Sequence, residues 1–274
     1  MSFVPAHTFV GDPAAPKLGL LLHGALGSGN NLRSLATKLS KLRPEYRFCL
    51  VDLRHHGESQ AAPPPNTLES CAQDLAALIA ELGQEPDVIA GHSFGGKTAL
   101  MFSSLFPGRT AQLWILDSNP GSQQPTAANE VMRVIQAVRS TTTPAADRAL
   151  VVQELTLQGL SSGTANWLGT NLRRTPQGLV WCFDLDAIYE LMLDYFRIDL
   201  WPVLESGTAD SDFRVVVGDR SDRWAPENRA RLQTMLKIVR ERGTVELHIV
   251  PNAGHWLHVD NAPFLVELIR QNLY

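Results

Sequence analysis

Gly91-His92-Ser93-Phe94-Gly95 follows the apolar run Val88-Ile89-Ala90 and precedes the helix-like stretch from Gly96 to Phe102. This order predicts a strand, a very tight turn and then a helix, with Ser93 at the turn. The two outer glycines lack a Cβ, so the strand and the helix can approach each other closely. A serine on such a strained turn exposes its Oγ, and the G-x-S-x-G spacing in this context is typical of a serine nucleophile. A glycine-rich turn with an incidental serine is the alternative interpretation.

The composition is ordinary for a folded protein and excludes several classes of partner. The chain has 274 residues, of which 44% are hydrophobic and 19% are charged, and its net charge is −4. No excess of basic residues points to nucleic acid or to an anionic membrane. The longest apolar run, Leu18 to Leu22, is far too short to cross a bilayer. The first residues lack the pattern of a cleavable signal, so we expect a cytoplasmic protein without a membrane span. Nothing in the composition determines its oligomeric state.

Neither a metal nor a cofactor is predicted. The three cysteines, Cys49, Cys71 and Cys182, are scattered, and we expect free thiols rather than a disulfide or a metal set. The glycine-rich stretch from Gly24 to Gly29 lacks the spacing of a dinucleotide-binding fingerprint. The chemistry is therefore expected to come from side chains alone.

Strand-like and helix-like segments alternate through the first 119 residues. Strands are predicted at Lys17–Leu22, Tyr46–Val51, Val88–Ala90 and Leu113–Leu116, and helices at Asn30–Leu42 and after Thr67. Strands are again predicted at Phe213–Val217 and Val245–Val250, with helices at Pro226–Val239 and from about Pro263. This alternation predicts an α/β fold with a mostly parallel central sheet and helices on both faces.

The alternation stops at Pro120 and returns after Pro202, which indicates an insertion between two strands of one sheet. We therefore predict a core formed by residues 1–119 and 203–274, and a helical cap formed by residues 120–202. The aromatic residues of the insertion, including Trp167, Trp181 and Phe196, predict an apolar roof over Ser93.

A serine hydroxyl is a poor nucleophile at neutral pH and needs an adjacent base. The best candidate is His255, in the loop Gly254-His255-Trp256 that follows the last predicted strand. The carboxyl ends of parallel strands are where active sites of such sheets form. A surface histidine without a catalytic role is the alternative.

The tetrahedral intermediate of acyl transfer needs preorganised N–H donors. One is expected from the amide of Phe94, the residue after the nucleophile. The other is expected from the loop after the first central strand, with Ala25 as first choice and Leu26 as second. Three neighbouring aromatic residues are predicted to shape the substrate site: His23, His92 and Trp256.

Two aspartates preserve the chain order Ser, Asp, His. Asp117 follows the predicted strand Leu113–Leu116, and Asp222 lies in the turn after the next predicted strand. Either could orient the imidazole of the histidine and stabilise its charged form. The aspartate that is not used is expected to cap a turn or to pair with Arg220 or Arg223.

The chain resembles the α/β-hydrolase superfamily over essentially its whole length. The residues that carry the resemblance are His23-Gly24, the stretch Asp52-Leu53-Arg54-His55-His56-Gly57-Glu58-Ser59, the Ser93 turn and Gly254-His255. The segment from Pro120 to Pro202 matches the usual cap insertion of the family.

A smaller branch of this superfamily, the bacterial esterases and thioesterases with mitochondrial relatives, is similar in more detail. Many superfamily members carry their acid where this chain has Ser221. The branch has a Gly-x-x-Ser turn there and takes its acid from an Asp-x-x-Pro motif, matched here by Asp117 to Pro120. The resemblance therefore favours Asp117, while Asp222 stays the alternative because other members carry a Ser-Asp pair in this turn.

The resemblance implies a serine hydrolase that cleaves a small carboxylic ester or thioester through an acyl-enzyme on Ser93. A C–C bond hydrolase or a lyase-type synthase that acts on an anionic substrate with the same triad is the first alternative. Such a substrate would use arginines of the cap, most of which we expect on solvated helix faces: Arg133, Arg139, Arg173, Arg174 and Arg197. A non-catalytic small-molecule receptor is the second alternative.

Overall fold

The computed structural model describes residues 3–126, 129–205, 211–236 and 243–274. The strands are β1 (His7–Val10), β2 (Lys17–Leu22), β3 (Tyr46–Val51), β4 (Val88–His92), β5 (Gln112–Leu116), β6 (Leu172–Thr175), β7 (Gly178–Trp181), β8 (Asp212–Gly218) and β9 (Val245–Val250). The helices are α1 (Arg33–Leu42), α2 (Leu68–Leu82), α3 (Phe94–Leu105), α4 (Glu130–Arg139), α5 (Arg148–Leu157), α6 (Ser162–Gly169), α7 (Leu185–Arg197), α8 (Trp201–Glu205), α9 (Pro226–Met235), α10 (Leu257–Asp260) and α11 (Ala262–Asn272).

Seven strands form one sheet in the order β1-β3-β2-β4-β5-β8-β9. Every neighbouring pair is parallel except β1 and β3, which confirms the mostly parallel sheet. Leu22 pairs with Gly91, and Leu116 pairs with both His92 and Val216. This register brings the loops after β2, β4, β5 and β8 to one edge of the sheet.

Both faces of the sheet are covered, which explains the continuous apolar runs of its central strands. Leu18, Leu20 and Leu22 of β2 pack in the same core as the buried face of α2 and α3. Leu21 points into the opposite core with α1 and α11. Helix α2 begins where the sequence predicts, because the Oγ1 of Thr67 accepts a hydrogen bond from the amide of Ser70.

The segment between β5 and β8 contains more than helices. Its described residues form α4 to α8 and an antiparallel hairpin of β6 and β7. The hairpin was not predicted, because four-residue strands give almost no periodic signal. Helix α8 spans residues 202 and 203, where the predicted cap ends. The division into a core and a cap at residues 120 and 202 therefore stays a prediction.

Smaller differences have simple causes. Strand β1 was not predicted because it is short and lies half-exposed at the edge of the sheet. Helix α9 begins at Pro226 as predicted and ends at Met235, and the predicted end at Val239 lies outside the described residues. All three cysteines are free thiols, and none of the described helices has the length and apolar character of a membrane span.

We expect the contact at Gly95 to be a major source of stability, and Gly163 offers a matched control. Both are the second residue of a helix, but a Cβ on Gly95 would lie 2.5 Å from the Leu22 carbonyl oxygen. A Cβ on Gly163 would lie 3.8 Å from the Oγ of Ser161, at ordinary contact distance. Gly95→Ala should lower the free energy of unfolding by about 1–3 kcal/mol or more. Gly163→Ala should be neutral or stabilise by up to about 1 kcal/mol.

Urea unfolding followed by circular dichroism measures both variants. Equal stability of the two would contradict the close approach of α3 to the end of β2.

Candidate active site

Ser93 occupies a strained turn between β4 and α3. Its φ is +53°, a left-handed value that costs free energy in any residue with a side chain. The Ser93 amide donates to the Leu116 carbonyl at 3.0 Å, and the Ser93 carbonyl accepts from the Gly96 amide at 3.0 Å. A Cβ on Gly91 would overlap the carbonyl of Gly95. These bonds and the two glycines hold the backbone in a conformation that it would not adopt alone.

His255 lies beside Asp117 at the same edge of the sheet. The Nδ1 of His255 is 2.7 Å from the Oδ2 of Asp117, whose side chain is fully buried. Because a carboxylate only accepts, Nδ1 carries the proton and Nε2 of the neutral ring is the basic nitrogen. Ser93 and His255 line one cavity, but Ser93 Oγ makes no hydrogen bond among the described residues. Such catalytic bonds often form only once substrate is bound.

The turn after β8 holds Asp117 in place. The hydroxyl of Ser221 donates to Oδ2 of Asp117 at 2.6 Å, and the amide of Gly218 donates to Oδ1 at 3.3 Å. The Asp117 amide donates to the Val216 carbonyl at 2.8 Å, although its φ is +46°. The side chain of Ser221 is therefore bound to Asp117, which follows the neighbouring strand β5.

Burial changes the pKa of both partners. It raises the pKa of Asp117 to about 6. The hydrogen bonds from Ser221 and Gly218 and the positive charge of Arg223 favour the carboxylate and lower this pKa, but they do not outweigh the effect of burial. Burial also lowers the pKa of His255 well below its usual value, and the positive charge of Arg223 lowers it further. Near neutral pH the pair is therefore a carboxylate and a neutral imidazole, the form in which His255 can accept a proton.

Asp222 has a different environment. Its side chain is 77% exposed and its Oδ1 lies 3.4 Å from the Nε of Arg223. Arg223 also forms a close ion pair with Glu130 of α4. The carboxylate that the sequence left as an alternative thus lies at the wall of the cavity and pairs with Arg223.

The amides of the loop after β2 near Ser93 differ in whether they are already engaged. The Leu26 amide donates to Nε2 of His56 at 3.0 Å, so it is already engaged. The amides of Ala25 and Phe94 have no acceptor within the part of the chain that the structure describes. Both residues border Ser93, since Ala25 lines the cavity and Phe94 begins α3. Both amides are available as donors to an oxyanion.

Two buried histidines shape this loop. Nδ1 of His23 donates to the Gly24 carbonyl at 2.7 Å, and Nε2 accepts from the Leu53 amide at 3.0 Å. Nδ1 of His56 donates to the Arg54 carbonyl at 2.8 Å. Burial lowers the pKa of His23 to about 4 and that of His56 to about 3, so both rings are neutral. His23 is not among the residues that line the cavity, and its two hydrogen bonds stabilise the loop after β2.

His56 is a residue whose role the sequence did not reveal. The DLRHHGES stretch marked it only as part of a family landmark. Its ring binds a loop 30 residues away, a contact that no local pattern encodes. Arg54 of the same stretch is held by a buried bidentate pair with Asp74 of α2, at 2.7 and 2.9 Å.

His92 and Trp256 both line the cavity. Nε2 of His92 donates to the backbone carbonyl of His255 at 2.8 Å, which ties the strand before Ser93 to the histidine loop. The Trp256 ring lies 4.7 Å from the ring of Trp167 in α6. Trp256 thereby joins the histidine loop to the inserted segment.

The cavity has a volume of about 470 Å³ and two kinds of wall. An apolar wall comes from α4, α6 and α7: Val131, Val134, Trp167, Met192, Tyr195 and Phe196. A charged wall comes from α4, the turn after β8 and the start of α9: Glu130, Arg133, Asp222, Arg223 and Glu227. Trp181, which the sequence also placed in the roof, lies outside the described lining and donates its Nε1–H to Thr141 at 3.2 Å.

Of the five candidate arginines, Arg133 lines the cavity. Arg139 pairs with Asp186 at 2.7 Å, and Arg197 pairs with Asp194 at 2.5 Å. No group of three or more His, Cys, Asp or Glu side chains among the described residues is arranged to hold a metal ion.

Comparisons with known proteins identify the family of this chain. A sequence model described as the alpha/beta hydrolase family matches residues 20–268. The sn-1-specific diacylglycerol lipase ABHD11 of Mus musculus is 29% identical over 264 residues, which cover 94% of this chain and 81% of the lipase. Esterase YbfF of Escherichia coli is 25% identical over 254 residues, which cover 93% of this chain and 92% of the esterase.

A solved structure of similar fold is that of a marine microorganism esterase. The two structures superpose with a TM-score of 0.81 at 25% sequence identity. The aligned part covers 98% of this chain and 99% of the esterase chain. The family resemblance drawn from the Ser93 turn, the DLRHHGES stretch and Gly254-His255 is thereby confirmed. The chain belongs to the alpha/beta hydrolase family.

Proposed function

We propose that this protein is a serine hydrolase that cleaves carboxylic esters or thioesters through an acyl-enzyme on Ser93. The observation that carries the proposal is the bond of 2.7 Å between His255 and Asp117, in the wall of the cavity that Ser93 lines. Similarity to a mouse lipase and a bacterial esterase supports the same class of reaction. The substrate is a small molecule, and the free thiols suit a reducing cytoplasm.

In the first half of the reaction Ser93 Oγ attacks the carbonyl carbon, and its proton moves to Nε2 of His255. The oxyanion that forms accepts hydrogen bonds from the amides of Ala25 and Phe94. Asp117 stabilises the imidazolium and holds its ring in the required tautomer. His255 then gives the proton to the leaving alcohol or thiol as the bond to the carbonyl carbon breaks.

In the second half a water molecule takes the place of the leaving group. His255 removes its proton while the water oxygen attacks the acyl carbon on Ser93. The same two amides bind the second oxyanion. Its collapse releases the carboxylic acid and returns the proton from His255 to Ser93 Oγ.

The cavity favours this reaction over one that needs an anionic substrate. Arg223 already pairs with Glu130 and Asp222, and Glu227 adds a third carboxylate to a wall whose other guanidinium is that of Arg133. An anionic substrate would have to approach these carboxylates. The predicted cap at residues 120–202 supplies the apolar wall that an acyl chain would contact.

Covalent catalysis predicts that a fluorophosphonate probe labels native protein at Ser93 and does not label denatured protein or Ser93→Ala. The reason is that Oγ reacts only beside His255 in the folded site. Intact-mass analysis and peptide mapping measure the adduct. An adduct that persists in Ser93→Ala would contradict the proposal.

The choice of acid predicts opposite results for two conservative variants. Asp117→Asn should lower kcat by about 10⁴-fold, as loss of the carboxylate beside a catalytic histidine does. Asp222→Asn should change kcat by less than about tenfold, because its exposed carboxylate contacts Arg223 and not His255. Both are measured on one activated ester, with circular dichroism to verify folding. An inactive Asp222→Asn beside an active Asp117→Asn would assign the acid to the later strand.

The pKa of Asp117 predicts the acid limb of the pH profile. Because burial raises this pKa to about 6, the carboxylate and the neutral His255 coexist above that pH, and the first proton that binds to the pair removes activity. We therefore expect kcat/KM to be constant above about pH 7 and to fall about tenfold per pH unit below about 6.

Ser221→Ala tests the origin of this limb. It removes a donor that favours the carboxylate, so the limb should move to higher pH by about one unit. Asp222→Asn is the control and should leave the limb in place. An unchanged limb in Ser221→Ala would show that Asp117 does not govern it.

A further inference from the structure

Lys97 lies one turn after Ser93 on α3, and its side chain is completely buried. Its ammonium forms no ion pair with a carboxylate among the described residues, because none of their carboxylate oxygens lies within 4.0 Å of it. Burial lowers the pKa of Lys97 to about 7, although the charges of Asp194 and Asp199 oppose the change. Taking an ammonium out of water without a counter-ion costs free energy. Its hydrogen bonds must therefore compensate for the loss of water.

Those hydrogen bonds go to both ends of the inserted segment. Nζ donates to the Gly121 carbonyl at 2.8 Å and to the Tyr195 carbonyl at 2.7 Å. The Tyr195 carbonyl belongs to the last turn of α7, where carbonyls have no partner within the helix and the helix dipole attracts a cation. Nζ also lies 4.5 Å from the centroid of the Tyr195 ring.

The two ends of the segment also bind each other beside Lys97. The Gln123 amide donates to the Phe196 carbonyl at 2.8 Å, and the Leu200 amide donates to the Pro120 carbonyl at 2.9 Å. Gln123, Tyr195 and Phe196 line the cavity. The Tyr195 ring is 6.1 Å from the ring of Phe94, whose amide is a proposed oxyanion donor.

We propose that Lys97 is a positioning residue that holds the Tyr195 wall of the cavity at a set distance from Ser93 and thereby determines how longer acyl chains bind. It touches neither substrate nor reacting atoms. It acts through the carbonyls of Gly121 and Tyr195. These two bonds join both ends of the segment between β5 and β8 to α3, the helix that follows Ser93. The inference rests on the proposed ester hydrolysis.

Lys97→Met tests this role because methionine fills much of the same space without the donor. KM for p-nitrophenyl octanoate should rise about tenfold, which corresponds to about 1.4 kcal/mol, while kcat changes less. Hydrolysis of p-nitrophenyl acetate and fluorophosphonate labelling of Ser93 should stay within about twofold of wild type, since a short acyl group does not reach the wall.

Arg139→Met is the matched control. The Arg139 guanidinium also lies over a tyrosine of α7, 5.2 Å from the Tyr189 ring, and pairs with Asp186 at the surface. Neither Arg139 nor Tyr189 is among the residues that line the cavity. This variant should keep the wild-type ratio of octanoate to acetate hydrolysis.

A double-mutant cycle with Tyr195 separates positioning from general loosening of the fold. Tyr195→Ala should raise the octanoate KM, and Tyr195→Phe, which keeps the ring, should not. If Lys97 acts through the Tyr195 wall, Lys97→Met combined with Tyr195→Ala should have no larger effect than Tyr195→Ala alone. Additive effects would overturn the proposal.

The outcomes distinguish this proposal from the proposed function. Wild-type protein that neither hydrolyses acetate nor labels at Ser93 would refute ester hydrolysis itself. Active wild type together with an unchanged octanoate-to-acetate ratio in folded Lys97→Met would refute the role of Lys97. If Lys97→Met fails to fold, Tyr195→Ala decides, because an unchanged ratio in that variant overturns the proposal alone.

Discussion

The close contact of β4, α3 and the end of β2 around Ser93 is the constraint on which the site depends. Gly91 and Gly95 leave no room for a Cβ, so α3 begins directly against the sheet. This contact holds Ser93 at a positive φ and puts the amide of Phe94 beside its side chain. A wider turn would relax the backbone and would also separate the nucleophile from that donor.

Buried polar groups around this contact are arranged so that few of them are charged. His23 and His56 are neutral, and each bonds through both ring nitrogens, which determines the tautomer. Asp117 carries a charge, and its carboxylate accepts from Ser221, Gly218 and His255. Hydrogen bonds to the ionised form offset the cost of burying it. A buried negative charge therefore lies next to His255.

The segment between β5 and β8 is attached to the sheet at the edge that carries Ser93 and His255 rather than at its periphery. Lys97 binds its two ends, and Trp167 packs on Trp256 of the histidine loop. The apolar wall of the cavity is thus connected to the elements that carry Ser93 and His255. This connection gives a physical route by which residues that do not touch the reacting atoms affect which substrates bind.

The sequence by itself determined the elements with strong local signals. The apolar runs of β2, β3 and β5, the Thr67 cap and the Ser93 turn were predicted within about two residues, because burial on both faces and backbone strain restrict residue type locally. The short strands β1, β6 and β7 were missed, since four residues carry too little periodicity. The family could be predicted because its motifs lie at these same turns.

Only the tertiary structure decided which side chains meet. Asp117 and Asp222 both precede His255 in the chain, and residue order cannot tell which carboxylate reaches Nδ1. The bond from His56 to the Leu26 amide and the two bonds of Lys97 likewise join segments that are distant in sequence. Local patterns record what a residue needs from its neighbours along the chain. Contacts between loops depend on strand order and register, which arise only when the whole sheet has assembled.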